Sequence, residues 1–161
     1  MARKILLSLN SPPSAPRRPT RAALIRLFQR AWTKTPVRRR PEVPPRGPLA
    51  VDLRWVCDRE IAGLHKQFFG KREATDVVSF PMLDDDPERK AFLLGEIAVS
   101  YETARREAKA RGLTVEEELS RYALHGFLHL LGYRDGQARE REDMTEQQER
   151  ILAAANRSRS C

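Results

Sequence analysis

Apolar and polar positions along this chain follow two different periods, which divide it into four predicted strands and five predicted helices. Residues 49–56 alternate apolar and polar side chains, as a half-buried strand does. Behind Thr20, a good helix N-cap, four apolar side chains share one helical face: Leu24, Leu27, Phe28 and Ala31. By the same criteria we predict strands at 4–9, 49–56, 77–82 and 93–100, and helices at 20–32, 58–68, 102–111, from Thr114 to Gly132, and 138–155.

Capping residues set several of these boundaries. Asp58 is placed to cap the second helix, and Gly112 can end the third in the left-handed conformation. Thr114 and Glu117 have the spacing of a capping box at the start of the fourth helix. The acidic segment DDDPERK, residues 84–90, lies between two strands, and we expect it to be a loop.

Residues 33–48 contain five prolines and four arginines, and proline at this density excludes a helix or a central strand. We expect a basic, proline-rich loop that is solvated. The alternative is an arm that touches phosphate.

The order of these elements predicts an α+β fold with one mixed β-sheet and the helix after Thr114 packed on its face. We expect a single domain, 1–161, with its core at about 49–150 and a frayed tail at 156–161. No apolar run reaches the roughly eighteen residues of a membrane span, and the apolar part of the N-terminus is too short for a signal peptide. A cytoplasmic protein is expected. Two cysteines do not make a disulfide framework; Cys57 is expected to be a small buried residue and Cys161 an exposed one.

The most informative motif is HGFLHLLGYRD, residues 125–135. His125 and His129 are four residues apart, so both imidazoles lie on one face of a helix, where they can bind one metal ion. Gly132 can end that helix and turn the chain back, and Asp135 could then supply a third ligand. Three protein ligands leave one coordination position open, as catalytic metal sites do.

The residue between the histidines argues against a peptidase. The spacing is that of the zinc-protease motif H-E-x-x-H-x-x-G-x-x-H/D, but Gly126 replaces its general-base Glu and has no group that accepts a proton. Metal-assisted hydrolysis of another substrate is therefore favoured. A structural role is the alternative, because residues 119–133 are apolar nearly all round and a histidine in a buried helix is usually a hydrogen-bonded core residue.

The formal net charge of +8 bears on the class of substrate. A basic surface favours polyanions, of which RNA is the commonest in the cytoplasm. Ordinary solubility charge is the alternative, and composition alone does not decide between the two.

Three segments together resemble one family. TDVVSFP at 75–81, LLGEIAVS at 93–100 and HGFLHLLGYRD at 125–135 are similar, in order and spacing, to the YbeY family of bacterial ribosomal-RNA maturation endoribonucleases. The resemblance implies a zincin-like core with one zinc ion per chain. It implies single-strand-specific endoribonuclease activity in 16S ribosomal RNA 3′-end maturation and in ribosome quality control. The implied partners are single-stranded RNA, ribosomal RNA and the small ribosomal subunit, and we expect a monomer.

This chain departs from the family pattern at three positions. The family motif usually ends G-Y-D-H, whereas here Arg134 replaces the Asp and Asp135 replaces the third His. A carboxylate is a sound zinc ligand, but it also makes harder metals such as manganese more competitive. Phe69 stands where the family usually has an Arg that is a candidate for binding phosphate.

Other residues could supply the missing chemistry. Lys71 or Arg72 could reach the same phosphate, and Arg134 lies beside the metal motif. Glu96, or Asp76, could serve as the base. An ordinary surface role is the alternative for each of them. Two other functions stay open: a hydrolase of another substrate, and a non-catalytic ribosome-associated factor with a structural metal site.

Overall fold

Within the residues that the structure describes, four strands and five helices follow one another in the order that the hydrophobic pattern predicts. The computed structural model describes residues 3–10, 17–35, 40–70 and 75–159, apart from the side chains of Phe69 and Arg159. The strands are β1 (Ile5–Asn10), β2 (Leu49–Val56), β3 (Val77–Asp86) and β4 (Ala91–Ser100). The helices are α1 (Arg21–Lys34), α2 (Asp58–Phe69), α3 (Tyr101–Arg111), α4 (Val115–Leu130) and α5 (Ala138–Arg159). None of the described helices is long and apolar enough to cross a membrane.

The strands form one mixed four-stranded sheet in the order β1-β2-β4-β3. β1 runs parallel to β2, and β2 parallel to β4. β3 is antiparallel to β4 and lies at an edge of the sheet. The register of this hairpin places Ser79 opposite Ile97. The predicted α+β class with a mixed sheet is confirmed.

One face of the sheet carries the main core, and α4 lies across it. Ile97 of β4 and Phe127 of α4 belong to the same buried cluster. The ring of Phe28 on α1 stacks on Phe127 with a centroid separation of 4.3 Å, so the two helices share one apolar contact. The four α1 residues predicted to face inwards are all buried.

The other face of the sheet is covered by α2 over a smaller area. Ile61 of α2 packs there with Val78 of β3 and Ala98 of β4. Alternate residues of a strand point to opposite faces. The side chains of Ile97 and Ala98 are therefore on different sides, which decides which residues can reach α4.

Two predicted N-caps are confirmed and a third is wrong. Thr20 accepts a hydrogen bond from the Ala23 amide, and Thr114 forms both bonds of its capping box. Asp58 does not cap α2, because Cys57 occupies the N-cap position without a side-chain bond. Cys57 is accordingly half-exposed and lies between β2 and α2 rather than buried in a strand.

The acidic segment is mostly strand rather than loop. β3 continues to Asp86 and β4 begins at Ala91, because cross-strand pairing outweighs the weak strand propensity of aspartate. Arg89 neutralises part of this charge through ion pairs with Asp52 and Asp86.

The C-terminal boundary also differs from the prediction. Residues 156–159 belong to α5, so the predicted frayed tail is wrong there, and residues 160 and 161 lie outside the described residues. That range includes Cys161.

Candidate metal centre

Three metal-ligating side chains converge near the C-terminal end of α4. His125 Nε2 and His129 Nε2 are 3.2 Å apart. Asp135 Oδ2 lies 3.3 Å from His129 Nε2 and 3.7 Å from His125 Nε2. The imidazoles are half-buried and the carboxylate is exposed. The structure thus brings together the three ligands that the motif predicts, as a group that could hold one metal ion.

The second nitrogen of each imidazole is held by a hydrogen-bond acceptor. His129 Nδ1 lies 2.9 Å from the carbonyl oxygen of Tyr133, and His125 Nδ1 lies 2.9 Å from Gln148 Oε1. A carbonyl only accepts, so each Nδ1 donates its hydrogen and each Nε2 of a neutral ring presents a lone pair. Contacts of this kind fix the tautomer and orientation of metal-binding histidines.

The electrostatics of the cluster favour a bound cation. Burial lowers the pKa of His129, and the nearby His125 lowers it further, so this ring is neutral at neutral pH. The lone pair of the neutral His129 ring then faces the Asp135 carboxylate at 3.3 Å, and a cation between them would remove the repulsion. Two nitrogens and one oxygen form a donor set that divalent transition metals accept. The residues present therefore fit a metal ion.

The end of α4 explains how Asp135 reaches the histidines. Gly132 has a φ of 100°, in the left-handed region. Its amide donates to His129 O at 3.0 Å, and the Tyr133 amide donates to Leu128 O at 3.1 Å. These are the two bonds of a Schellman motif, which reverses the chain at once. The helix-ending role predicted for Gly132 is confirmed.

Gly126 allows α4 to lie close to the sheet. A Cβ atom at this position would be 2.6 Å from Ile97 Cγ2 and 3.0 Å from both Ser79 Oγ and Val77 Cγ2. Ser79 Oγ also donates to the Gly126 carbonyl at 2.9 Å. A side chain at this position would force the neighbouring side chains, or α4 itself, to move, so the close packing disfavours the carboxylate that a zinc protease has here.

An open groove of about 380 Å³ runs beside the metal centre. His129 and Asp135 form part of its wall, Ser79 comes from the edge strand β3, and His65 comes from α2. Within the described part of the chain, Arg40 is the side chain with a permanent positive charge that lines this groove.

Arg40 also docks its loop onto the end of α4. Its Nε donates to Leu130 O at 3.0 Å and its Nη2 donates to His129 O at 3.2 Å. A cation there complements the partial negative charge of the helix C-terminus. The sequence predicts a solvated 33–48 loop, and for Arg40 that prediction is wrong: its side chain binds the C-terminal end of α4.

The predicted phosphate-binding residues are not all near the groove. Arg134 is exposed and lines a separate cavity of about 130 Å³ with Glu140 and Asp143. Lys71 and Arg72 lie outside the described residues.

Glu96 lies on the sheet face opposite α4. Its neighbour Ile97 faces Gly126, so the Glu96 side chain points the other way, where its Oε1 is 2.6 Å from Arg54 Nε. The structure does not bring Glu96 to the histidines. Asp76 immediately precedes β3, and its carbonyl accepts from the Ser100 amide, which is consistent with a structural position.

Sequence reasoning missed Gln148, and it considered the arginine-rich 33–48 loop as a phosphate-touching arm without assigning Arg40 to this groove. Gln148 is a polar residue at a buried position, since Met144, Gln148 and Ile151 follow helical spacing and are all buried. A polar residue within an apolar stripe was the signal that could have found it. No comparable signal singled out Arg40 among the arginines of its loop.

Comparisons with known proteins agree on one family. The family model described as Endoribonuclease YbeY matches residues 21–156. A protein named endoribonuclease YbeY from Thermus thermophilus is 43% identical over 96 residues, which cover 60% of this chain and 69% of that one. A protein of the same name from Rhodopseudomonas palustris is 41% identical over 98 residues, covering 60% of this chain and 52% of the relative. The aligned part therefore spans between half and about two thirds of these relatives.

One solved structure shows the same fold over nearly the whole chain. The solution structure of a protein from Thermotoga maritima superposes with a TM-score of 0.55 and 25% sequence identity. The match covers 97% of this chain and 92% of that chain.

Proposed function

The chain belongs to the YbeY family, and from that membership we propose that it is a metal-dependent endoribonuclease that cleaves single-stranded RNA. The observation that carries the proposal is the convergence of two imidazole Nε2 atoms and the Asp135 carboxylate beside an open groove. Gly126 removes the peptidase base from the same motif, which leaves another hydrolysis as the chemistry of the site.

We propose one zinc ion per chain as the cofactor, held by His125, His129 and Asp135. When bound, the metal would supply a Lewis acid with an open coordination position for water or a phosphoryl oxygen. The chain's own part is to hold the ligands in place. Gln148 and the Tyr133 carbonyl fix the two rings, so little reorganisation is needed when the site is used.

Arg40 is the proposed first contact to the scissile phosphate. Its guanidinium is already fixed against the two carbonyls at the end of α4 and lines the same groove as His129 and Asp135. A guanidinium binds phosphate through strong charge-assisted hydrogen bonds. We propose Lys71, Arg72 and Arg134 as further contacts along the strand. Glu96 has no part in this proposal because it lies on the opposite face of the sheet.

Unpaired RNA suits the groove better than a duplex. A single strand exposes both backbone and bases to the groove, whereas a regular helix must first be opened. The wider role follows from the family: we propose 16S ribosomal RNA 3′-end maturation and ribosome quality control in the cytoplasm, with the small ribosomal subunit as partner. Mapping the cleavage site on a precursor of that RNA tests this part.

The central test compares wild type with His125→Ala on a labelled single-stranded RNA and on its duplex. We expect wild type to cleave the single strand, to stop when a chelator is added and to recover with zinc. The variant should still bind RNA but not cleave it, because the metal serves chemistry more than affinity.

Other outcomes point elsewhere. Equal cleavage by both proteins would indicate a contaminating nuclease. A metal-loaded wild type that cleaves neither test RNA nor ribosomal precursors would favour a non-catalytic ribosome-associated factor with a structural metal. Hydrolysis of peptides that depends on zinc and on His129 would replace the nuclease with a peptidase.

Arg40→Gln tests the proposed phosphate contact. Losing charge-assisted hydrogen bonds should raise the KM for single-stranded RNA by about tenfold. Arg46→Gln is the matched control: it removes the same charge from an exposed position of the same loop outside the groove. If both variants raise KM equally, the effect comes from net charge and not from Arg40.

A further inference from the structure

A second groove, larger than the one beside the metal centre, lies between α1 and α5. Its volume is about 700 Å³. Five basic residues line it: Arg26, Arg30, Lys34, Arg150 and Arg157. Within the described part of the chain no acidic residue lines it. The α1–α5 groove is therefore a concentrated positive surface on the molecule.

The basic residues form two rows that face each other. Arg26, Arg30 and Lys34 are four residues apart on α1, so they lie along one face of the helix. Each lies about 6 Å further along the helix axis than the one before it. Arg150 and Arg157 are seven apart on α5 and also share a face. A linear polyanion bound along the groove would pass a basic side chain at about every turn of α1.

Most of this charge is available to a ligand. Among the described residues, no ion pair joins Arg26, Lys34 or Arg157 to a carboxylate, and all three side chains are exposed. Arg30 donates to Ser158 Oγ at 2.7 Å, which positions it without neutralising it. Arg150 is the exception, since it pairs with Glu146.

One end of the groove is also defined, and two small residues, Ala153 and Ala154, line the groove beside the basic ones. Gln147 closes one end by donating to Lys34 O at 3.1 Å. The next residue along α5 is Gln148, which holds His125 of the metal centre. One helix therefore carries both the basic groove and a support of the metal site.

We propose that the α1–α5 groove binds the sugar–phosphate backbone of the RNA substrate, outside the cleavage site. This rests on the proposed function for the choice of polyanion. The described lining has no aromatic side chain on which bases could stack, so recognition is of phosphate and independent of sequence. Lys34 is the last residue of α1, and Arg40, six residues further along the chain, lines the metal groove, so basic side chains occur at both grooves.

Binding assays separate this inference from catalysis. The test protein is the full chain with Arg26→Gln, Lys34→Gln and Arg157→Gln, three exposed positions. The matched control carries Arg59→Gln, Arg105→Gln and Lys109→Gln, which removes the same charge from exposed positions on α2 and α3 outside the groove. Each protein is titrated with a long single-stranded RNA over a range of salt concentrations.

We expect the groove variant to bind the long RNA on the order of tenfold more weakly than wild type. The negative slope of log K against log salt should become less steep by about 2, since each of the three lost phosphate contacts on a single strand contributes about 0.7. Cleavage of an oligonucleotide that fills only the metal groove should keep its kcat. Slopes equal to the control's would overturn the proposal. A parallel titration uses polyglutamate as a probe for an acidic protein. If the groove variant binds RNA as tightly as wild type but no longer binds polyglutamate, the proposal is also overturned, and the groove is assigned to an acidic protein. If wild type never cleaves RNA but the slope difference appears, the proposed nuclease fails while the groove still binds nucleic acid.

Discussion

At the scale of single residues, the proposed metal centre depends on the residues that hold its three proposed ligands as much as on those ligands. His125 and His129 could be predicted from their spacing alone, because a helix turns about 100° per residue and places i and i+4 together. Gln148 could not be assigned from spacing within the motif, since its contact with His125 joins two helices across 23 residues. Long-range partners of this kind depend on how α5 packs on α4, which local sequence does not specify.

Replacing Gln148 with Met should weaken metal binding while the fold is kept. Met has similar length but offers no strong acceptor, so His125 Nδ1 loses the contact that sets its tautomer. Such supporting contacts are typically worth about 10- to 100-fold in metal affinity. Competition with a fluorescent chelator measures this. Gln147→Met, one residue away and without a contact to the histidines, should bind metal as wild type does; equal weakening in both would refute the role of Gln148.

Asp135→His should change which metal the site prefers. Carboxylate oxygen is a harder ligand than imidazole nitrogen, so the natural residue keeps manganese competitive and histidine should favour zinc. We expect the ratio of zinc affinity to manganese affinity to rise in the variant, measured by paired titrations of the apo protein. An unchanged ratio would mean that Asp135 does not ligate the metal.

At the scale of elements, the decisive fact is the distance of α4 from the sheet. Gly126 was read from the sequence as a missing proton acceptor, and its packing role was not foreseen. Sequence patterns give the apolar face of a helix but not how closely a backbone approaches a strand. That distance depends on Ile97 and Ser79, which come from a different part of the chain.

Gly126→Ala should destabilise the protein and loosen the metal centre. The new methyl group meets Ile97 Cγ2 at 2.6 Å, and overpacking of this kind costs about 1–3 kcal/mol. Gly63→Ala on α2 is the matched control, since a Cβ there contacts nothing within 4 Å. Alanine's better helix propensity should stabilise that variant by about 0.5–1 kcal/mol. Urea unfolding of both variants gives the comparison, and equal effects in the two would exclude close packing at Gly126.

At the scale of the whole molecule, local signals predicted the order of elements and most boundaries, because periodicity and capping act over a few residues. The acidic segment is strand because it pairs with the nearby β4 in a hairpin, with Asp86 opposite Ala91. The other failed predictions involve partners far apart in the chain: the Asp58 carboxylate binds residues of α3 and its N-cap instead of capping α2. Arg40 donates a hydrogen bond to the carbonyl of His129 on α4, which lies 89 residues away in the chain.

Asp58 links α2 to α3 and should make the fold sensitive to acid. Its carboxylate accepts hydrogen bonds from Ser100 Oγ at 2.6 Å, Thr103 Oγ1 at 2.7 Å and Arg106 Nη1 at 2.7 Å. Burial by itself would raise the pKa of Asp58, but the hydrogen bonds from these three residues outweigh it and the pKa is lowered.

The sign of the effect follows from linkage. A carboxyl group with a lowered pKa in the folded state stabilises the protein above its unfolded pKa of about 3.9, and that stabilisation is lost as pH falls through the folded value. In Asp58→Asn, urea unfolding should show lower stability than wild type at neutral pH and a smaller difference in strong acid, where wild-type Asp58 is protonated as well. Asp85→Asn is a suitable comparison, because its exposed carboxylate on β3 accepts no hydrogen bond from a described residue. A constant difference between Asp58→Asn and wild type at every pH would show that packing, and not the charge on Asp58, holds α2 against α3.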